Sequence, residues 1–91
     1  MDVKTAVQLA KTYVGDLFSN EGLSNLGLEE VEFEESRRVW NVTLGFSRPW
    51  DRSPNALAAF AQGSPLRSYK VVRIDDASAR VISVKNRENE S

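Results

Sequence analysis

The hydrophobic period of this chain changes once, from about 3.6 residues to 2, and that switch restricts the folds open to it. Val3, Ala6, Val7, Ala10, Tyr13, Val14, Leu17 and Phe18 recur at the i, i+3, i+4, i+7 spacing of one helical face. Lys4, Gln8, Lys11 and Asp16 fall away from that stripe. Asp2 stands where its carboxylate can accept from the free amides of a first helical turn. Gly15 inside the segment costs roughly 1 kcal/mol relative to alanine, which the stripe is expected to outweigh. The helix is predicted to end near Ser19, with SNEGLSNLG supplying the turn that follows.

From Leu28 the alternation becomes that of half-buried strands. Val31 and Phe33 face one way and Glu30, Glu32 and Glu34 the other. After a turn near Glu35–Arg38, Trp40, Val42, Leu44 and Phe46 form one row, with Asn41, Thr43 and Gly45 opposite. Strands joined so closely make a hairpin. A second hairpin is read in YKVVRID (69–75) and RVISVKN (80–86), joined by DASA, whose aspartate favours a turn. Val72, Ile74, Ile82 and Val84 are its expected inward set. Residues 88–91 are expected to form a flexible tail.

These elements predict an α+β domain over residues 1–87. An N-terminal helix packs on a four-stranded antiparallel sheet in two layers, in the order α-β-β-(short α)-β-β. A chain of 91 residues can build one modest core and not two. It has no cysteine, hence no disulfide framework, so its core or a partner must hold it.

The bracketed helix comes from the one connection too long to be a connector. Between Phe46 and Tyr69 lie 22 residues, far more than adjacent strands need. Ser53 suits an N-cap, Pro54 the first helical position and Gly63 the residue past the end. A short helix is therefore expected at about 54–62, with Leu57 and Phe60 on one side. So short a helix is not stable alone: it docks on the domain, docks on another chain, or stays partly unfolded. Leu57 and Phe60 accordingly close the end of the core or belong to an interface. Arg48, Trp50 and Arg52 lead into it, and arginine and tryptophan are enriched at binding hot spots. Arg48, Trp50, Arg52, Leu57 and Phe60 are the candidate partner-binding set, in an inserted element at 47–68.

Chemistry is poorly supplied. The chain has no histidine and no cysteine, which removes the commonest general base, the thiol nucleophile and the usual transition-metal ligands. Neither GxxxxGK[ST] nor GxGxxG occurs, so no phosphate-cradling loop is read. Glu29, Glu30, Glu32, Glu34 and Glu35 read as a solvated face, since paired-carboxylate catalysis needs unlike environments. Asp75 and Asp76 read as a turn without calcium-loop spacing. The expectation is a non-enzyme with no cofactor and no metal.

Charge is unevenly spread. Residues 1–36 carry two lysines and eight acids, net −6, whereas residues 37–87 carry ten basic residues and three acids, net +7. Pairing between neighbouring strands is the favoured explanation. Arg37, Arg38, Arg48, Arg52, Arg67, Arg73 and Arg80, with Trp40, Trp50 or Tyr69 for stacking, form the alternative of a nucleic-acid accessory protein. The acidic pI of about 5.4 and the glutamate row argue against it. A small-ligand carrier with its pocket between helix and sheet is the further alternative. No run approaches the roughly 18 apolar residues of a membrane span. MDVKTAVQLAKTYV, with its early acid and lysines, does not read as a signal peptide, so a cytoplasmic location is expected.

YKVVRIDDASARVISV (69–84) resembles the closing hairpin of PepSY-type domains, where a tyrosine-led strand runs into an Asp-rich turn and then a valine-rich strand. The order helix–hairpin–hairpin and the run WNVTLGF also suit that cystatin-like arrangement. The chain departs from the pattern at Ser78-Ala79, where a Thr-Gly pair commonly closes the turn, and in its 47–68 insertion. The resemblance implies a non-catalytic binding role of the kind linked to protease inhibition or regulation, in a family that is mostly extracytoplasmic. It carries no functional residues across. The partner implied by all these readings is another protein, or a second copy of the chain.

Overall fold

A computed structural model describes residues 1–48 and 68–87. Helix α1 spans Val3–Leu17, and a single 3-10 turn follows at Ser19–Glu21. The strands are β1 (Ser24–Glu34), β2 (Val39–Ser47), β3 (Ser68–Asp75) and β4 (Val81–Asn86). They form one antiparallel sheet in the order β1-β2-β3-β4. Helix α1 lies over β2 and β1 and reaches β3. This is the expected α+β arrangement. The expected helix at about 54–62 and the tail at 88–91 lie outside the described residues.

The helix starts where Asp2 caps it, its Oδ1 accepting from the Thr5 amide at 2.8 Å. It meets the sheet through small side chains. Ala6, Ala10 and Val14, successive at four-residue steps, are fully buried against Val42, Leu44, Phe46, Val72 and Ile74. Alanines let the helix approach closely, so the volume between the layers is filled from the sheet, chiefly by Phe46 and Leu44. Val3, Tyr13 and Leu17 were expected on the buried stripe but are 44%, 42% and 52% exposed. Val3 and Leu17 are the terminal residues of the helix, and Tyr13 sits on the flank of the 6-10-14 row. Leu9 takes a place at the margin of the core instead.

Strand β1 begins at Ser24, so the turn after the helix is shorter than SNEGLSNLG. Gly22 makes that turn in the left-handed region, at φ 62°. The early part of β1 was hidden by two irregularities in its pairing with β2, between Ser24 and Gly27 and between Leu28 and Glu30. Asn25 lies within the first, at φ 57°, a conformation asparagine tolerates better than most residues.

Strand β4 corrects a second expectation. Arg73 pairs with Ser83 but Ile74 pairs with Val81, so a β-bulge leaves Ile82 out of the ladder. Val81 joins the core with Val84, and Ile82, expected inward, is 52% exposed. The inward row of β2 matches expectation: Val42, Leu44 and Phe46 are fully buried and Trp40 is partly so.

Two substitutions test this packing. Leu44→Ala should cost about 2–5 kcal/mol, the range for emptying a fully buried leucine site, read as a lower urea midpoint. Gly15→Ala should stabilise by about 0.5–1 kcal/mol, because a Cβ there meets no atom within 4 Å. No gain in the urea midpoint would show that the alanine collides with its surroundings.

Candidate functional site

The two ends of the sheet are built differently. At one end, Phe46 pairs with Ser68, so the long connection leaves and re-enters the sheet at a single point. Phe46 is fully buried, with the Phe18 ring 5.6 Å away, centroid to centroid, and the Arg48 guanidinium 5.5 Å from its own ring centroid. Ser47 is 8% exposed. Arg48 ties this base together: one terminal nitrogen donates to Glu21 Oε1 and the other to Ser68 Oγ, each at 3.0 Å. Its side chain is only 18% exposed. Arg48, Glu21 and Ser68 thus join the end of β2, the 3-10 turn and the start of β3.

Of the five candidate residues, the structure places Arg48, and places it as a clamp at the root of the insertion. Trp50, Arg52, Leu57 and Phe60 lie outside the described residues. Nothing in the sequence marked Glu21 or Ser68 as partners of Arg48. They stand 27 and 20 residues from it along the chain, and only the fold brings them together.

The opposite end is organised by Asp76. Trp40 Nε1 donates to its Oδ1 at 2.9 Å, and the N-terminal ammonium lies 3.2 Å from the same oxygen. Arg38 donates to Oδ2 at 3.2 Å, and the Arg38 carbonyl accepts from the Asp76 amide at 3.0 Å. One carboxylate thereby links the start of the chain with both hairpin turns. The Trp40 indole hydrogen bond, followed by that of the ammonium, holds Asp76 below the ordinary carboxylate value. Asp75 is lowered for a local reason, since the Ser78 hydroxyl and amide both donate to it, at 2.7 and 2.8 Å.

The sheet face away from α1 carries cross-strand rows. Glu30, Thr43, Val71 and Lys85 form one, and Glu32, Asn41, Arg73 and Ser83 the next. Glu34 Oε1 accepts from Asn41 at 3.4 Å and lies 3.8 Å from an Arg73 terminal nitrogen, while Arg37 reaches Oε2 at 3.4 Å. Part of the charge contrast along the chain is therefore discharged between its two halves, with Arg37 and Arg73 on Glu34 and Arg48 on Glu21, while Arg38 pairs with Asp76 inside the basic half. Where α1 meets β1, a shallow apolar cleft opens to solvent, lined by Val3, Lys4, Val7, Gln8, Leu28 and Val31.

Among the described residues no cluster of three or more acids could hold a metal ion, and no helix is long and apolar enough to cross a membrane. No protein-family model, curated protein or solved structure matches this chain.

A lowered carboxylate contributes stability above its unfolded value, near 3.8 here, and loses it as pH falls through its folded value. The melting temperature should therefore drop below about pH 4. Asp76→Asn keeps an acceptor for Trp40 and removes the charge. It should melt lower than the unaltered protein at neutral pH, and the gap should close as pH falls below 4, a value taken from ordinary aspartate. A gap independent of pH would mean that the charge of Asp76 contributes nothing.

Proposed function

We propose that this protein is a small non-catalytic interaction module of the cytoplasm. It binds another protein through the 47–68 element and the adjoining sheet surface, in a regulatory or inhibitory role. The supporting observation is the base of that element. A long excursion rises from a point where Phe46 is fully buried and Arg48 bonds to Glu21 and Ser68. Binding loops are commonly carried on a rigid scaffold of this kind. Trp50, Arg52, Leu57 and Phe60 fall within the excursion and supply the residue types for contact, while Arg48 holds its root. The PepSY-like hairpin at 69–84 adds a non-catalytic precedent for the arrangement. A nucleic-acid role draws less support, because Arg37, Arg38, Arg48 and Arg73 already face acidic side chains.

Trp50→Ala and Phe60→Ala should each weaken capture of a partner from source cells by about tenfold or more, the effect of losing a hot-spot side chain. The melting temperature should hold. A lowered melting temperature with undiminished capture would reduce the element to a plug for the core and overturn the reading.

A further inference from the structure

The sheet is open, and its outer strands, β1 and β4, differ in a complementary way. Glu30 and Glu32 on β1 are exposed, and so are Lys85 on β4 and Arg87 just past its end. Glu30, Glu32 and Lys85 lie on the same sheet face, the one turned from α1. Both edges also leave apolar side chains in solvent, Leu28 at 43% and Ile82 at 52%. The first lines the cleft between α1 and β1, and the second is the residue expelled by the β4 bulge.

Charges and bulges on an edge strand ordinarily prevent pairing with other chains. Here they do so selectively. A β1 edge meeting another β1 sets glutamates against glutamates, and two β4 edges set Lys85 and Arg87 against their own kind. The unlike pairing is left. Geometry permits it, because an up-and-down sheet with an even number of strands has first and last strands running in opposite directions. A second copy placed beside the first therefore brings its β1 antiparallel to β4, with both helices on one side.

We infer that this chain self-associates head to tail, β4 of one copy pairing with β1 of a second copy. Lys85 stands opposite Glu30 of the second copy, with Glu32 and Arg87 on the diagonals within reach of long side chains. The same register sets Val84 against Val31 and Ile82 against Phe33. β4 spans only Val81–Asn86, so the contact is small and belongs to the weak, concentration-dependent class. It involves none of residues 47–68 and does not depend on the function proposed above.

The test is charge-swap complementation followed by sedimentation equilibrium and native mass spectrometry. The unaltered protein should gain mass across the micromolar-to-millimolar range, and less so at high salt. Glu30→Lys with Glu32→Lys in one variant, and Lys85→Glu with Arg87→Glu in another, should each associate at least about tenfold more weakly alone. Mixed, they should associate again in alternating order, since the native β4 of the first meets the native β1 of the second and the acidic β4 of the second meets the lysines on β1 of the first. Circular dichroism checks that both fold, and Glu30→Gln with Glu32→Gln replaces the first variant if it does not. A monomer at every concentration overturns the inference, as do variants that associate undiminished or a mixture that forms no dimer. The Trp50→Ala, Phe60→Ala protein should self-associate like the unaltered one, so this inference and the partner-binding reading can fail separately.

Discussion

Everything in this small domain depends on the close approach of α1 to the central strands. Ala6, Ala10 and Val14 present little volume, and Val42, Leu44, Phe46, Val72 and Ile74 fill the space against them. With no disulfide available, that contact must offset the chain entropy lost on folding. It also decides which parts are left over. The helix covers β1 to β3, so β4 owes its place chiefly to its ladder with β3 and to Val81 and Val84 at the margin of the core.

Polar interactions divide by position. The fully buried layer is apolar, and the two polar hubs sit at opposite ends of the sheet. Asp76 draws together the start of the chain and both hairpin turns. Arg48 draws together β2, β3 and the 3-10 turn beneath the insertion. Each replaces water at a strand end with a charged partner, where an apolar residue would leave neighbouring donors or carboxylate oxygens unmatched. The two strand ends on either side of the long connection are thereby tied to each other and to the 3-10 turn.

The charge contrast between the halves of the chain follows the same geometry. An acidic β1 and a basic β3 let Glu34 meet Arg73 across the sheet, while Arg37 reaches the same carboxylate from the turn three residues on. The outer edges also carry exposed charge of opposite sign, Glu30 and Glu32 at one and Lys85 and Arg87 at the other. A sequence with little net charge can thereby present two unlike borders.

Local pattern alone determined the helix, its Asp2 cap, the 35–38 turn, the Asp75-led turn and the inward row Val42, Leu44, Phe46. Each depends on contacts within a few residues or on strict periodicity, both of which are written along the chain. The bulges escaped such reading, because one extra residue in a ladder reverses the faces beyond it. That is why Ser24–Gly27 did not look like strand and why Ile82 was expected where Val81 packs. The burial of the helix stripe was over-assigned for a related reason: periodicity identifies a face, and only the partner's position decides how much of it is covered. At the candidate site, composition marked Arg48 as a binding residue. The fold gave it Glu21 and Ser68, partners far along the chain, since which charges meet is decided only once the strands are in register.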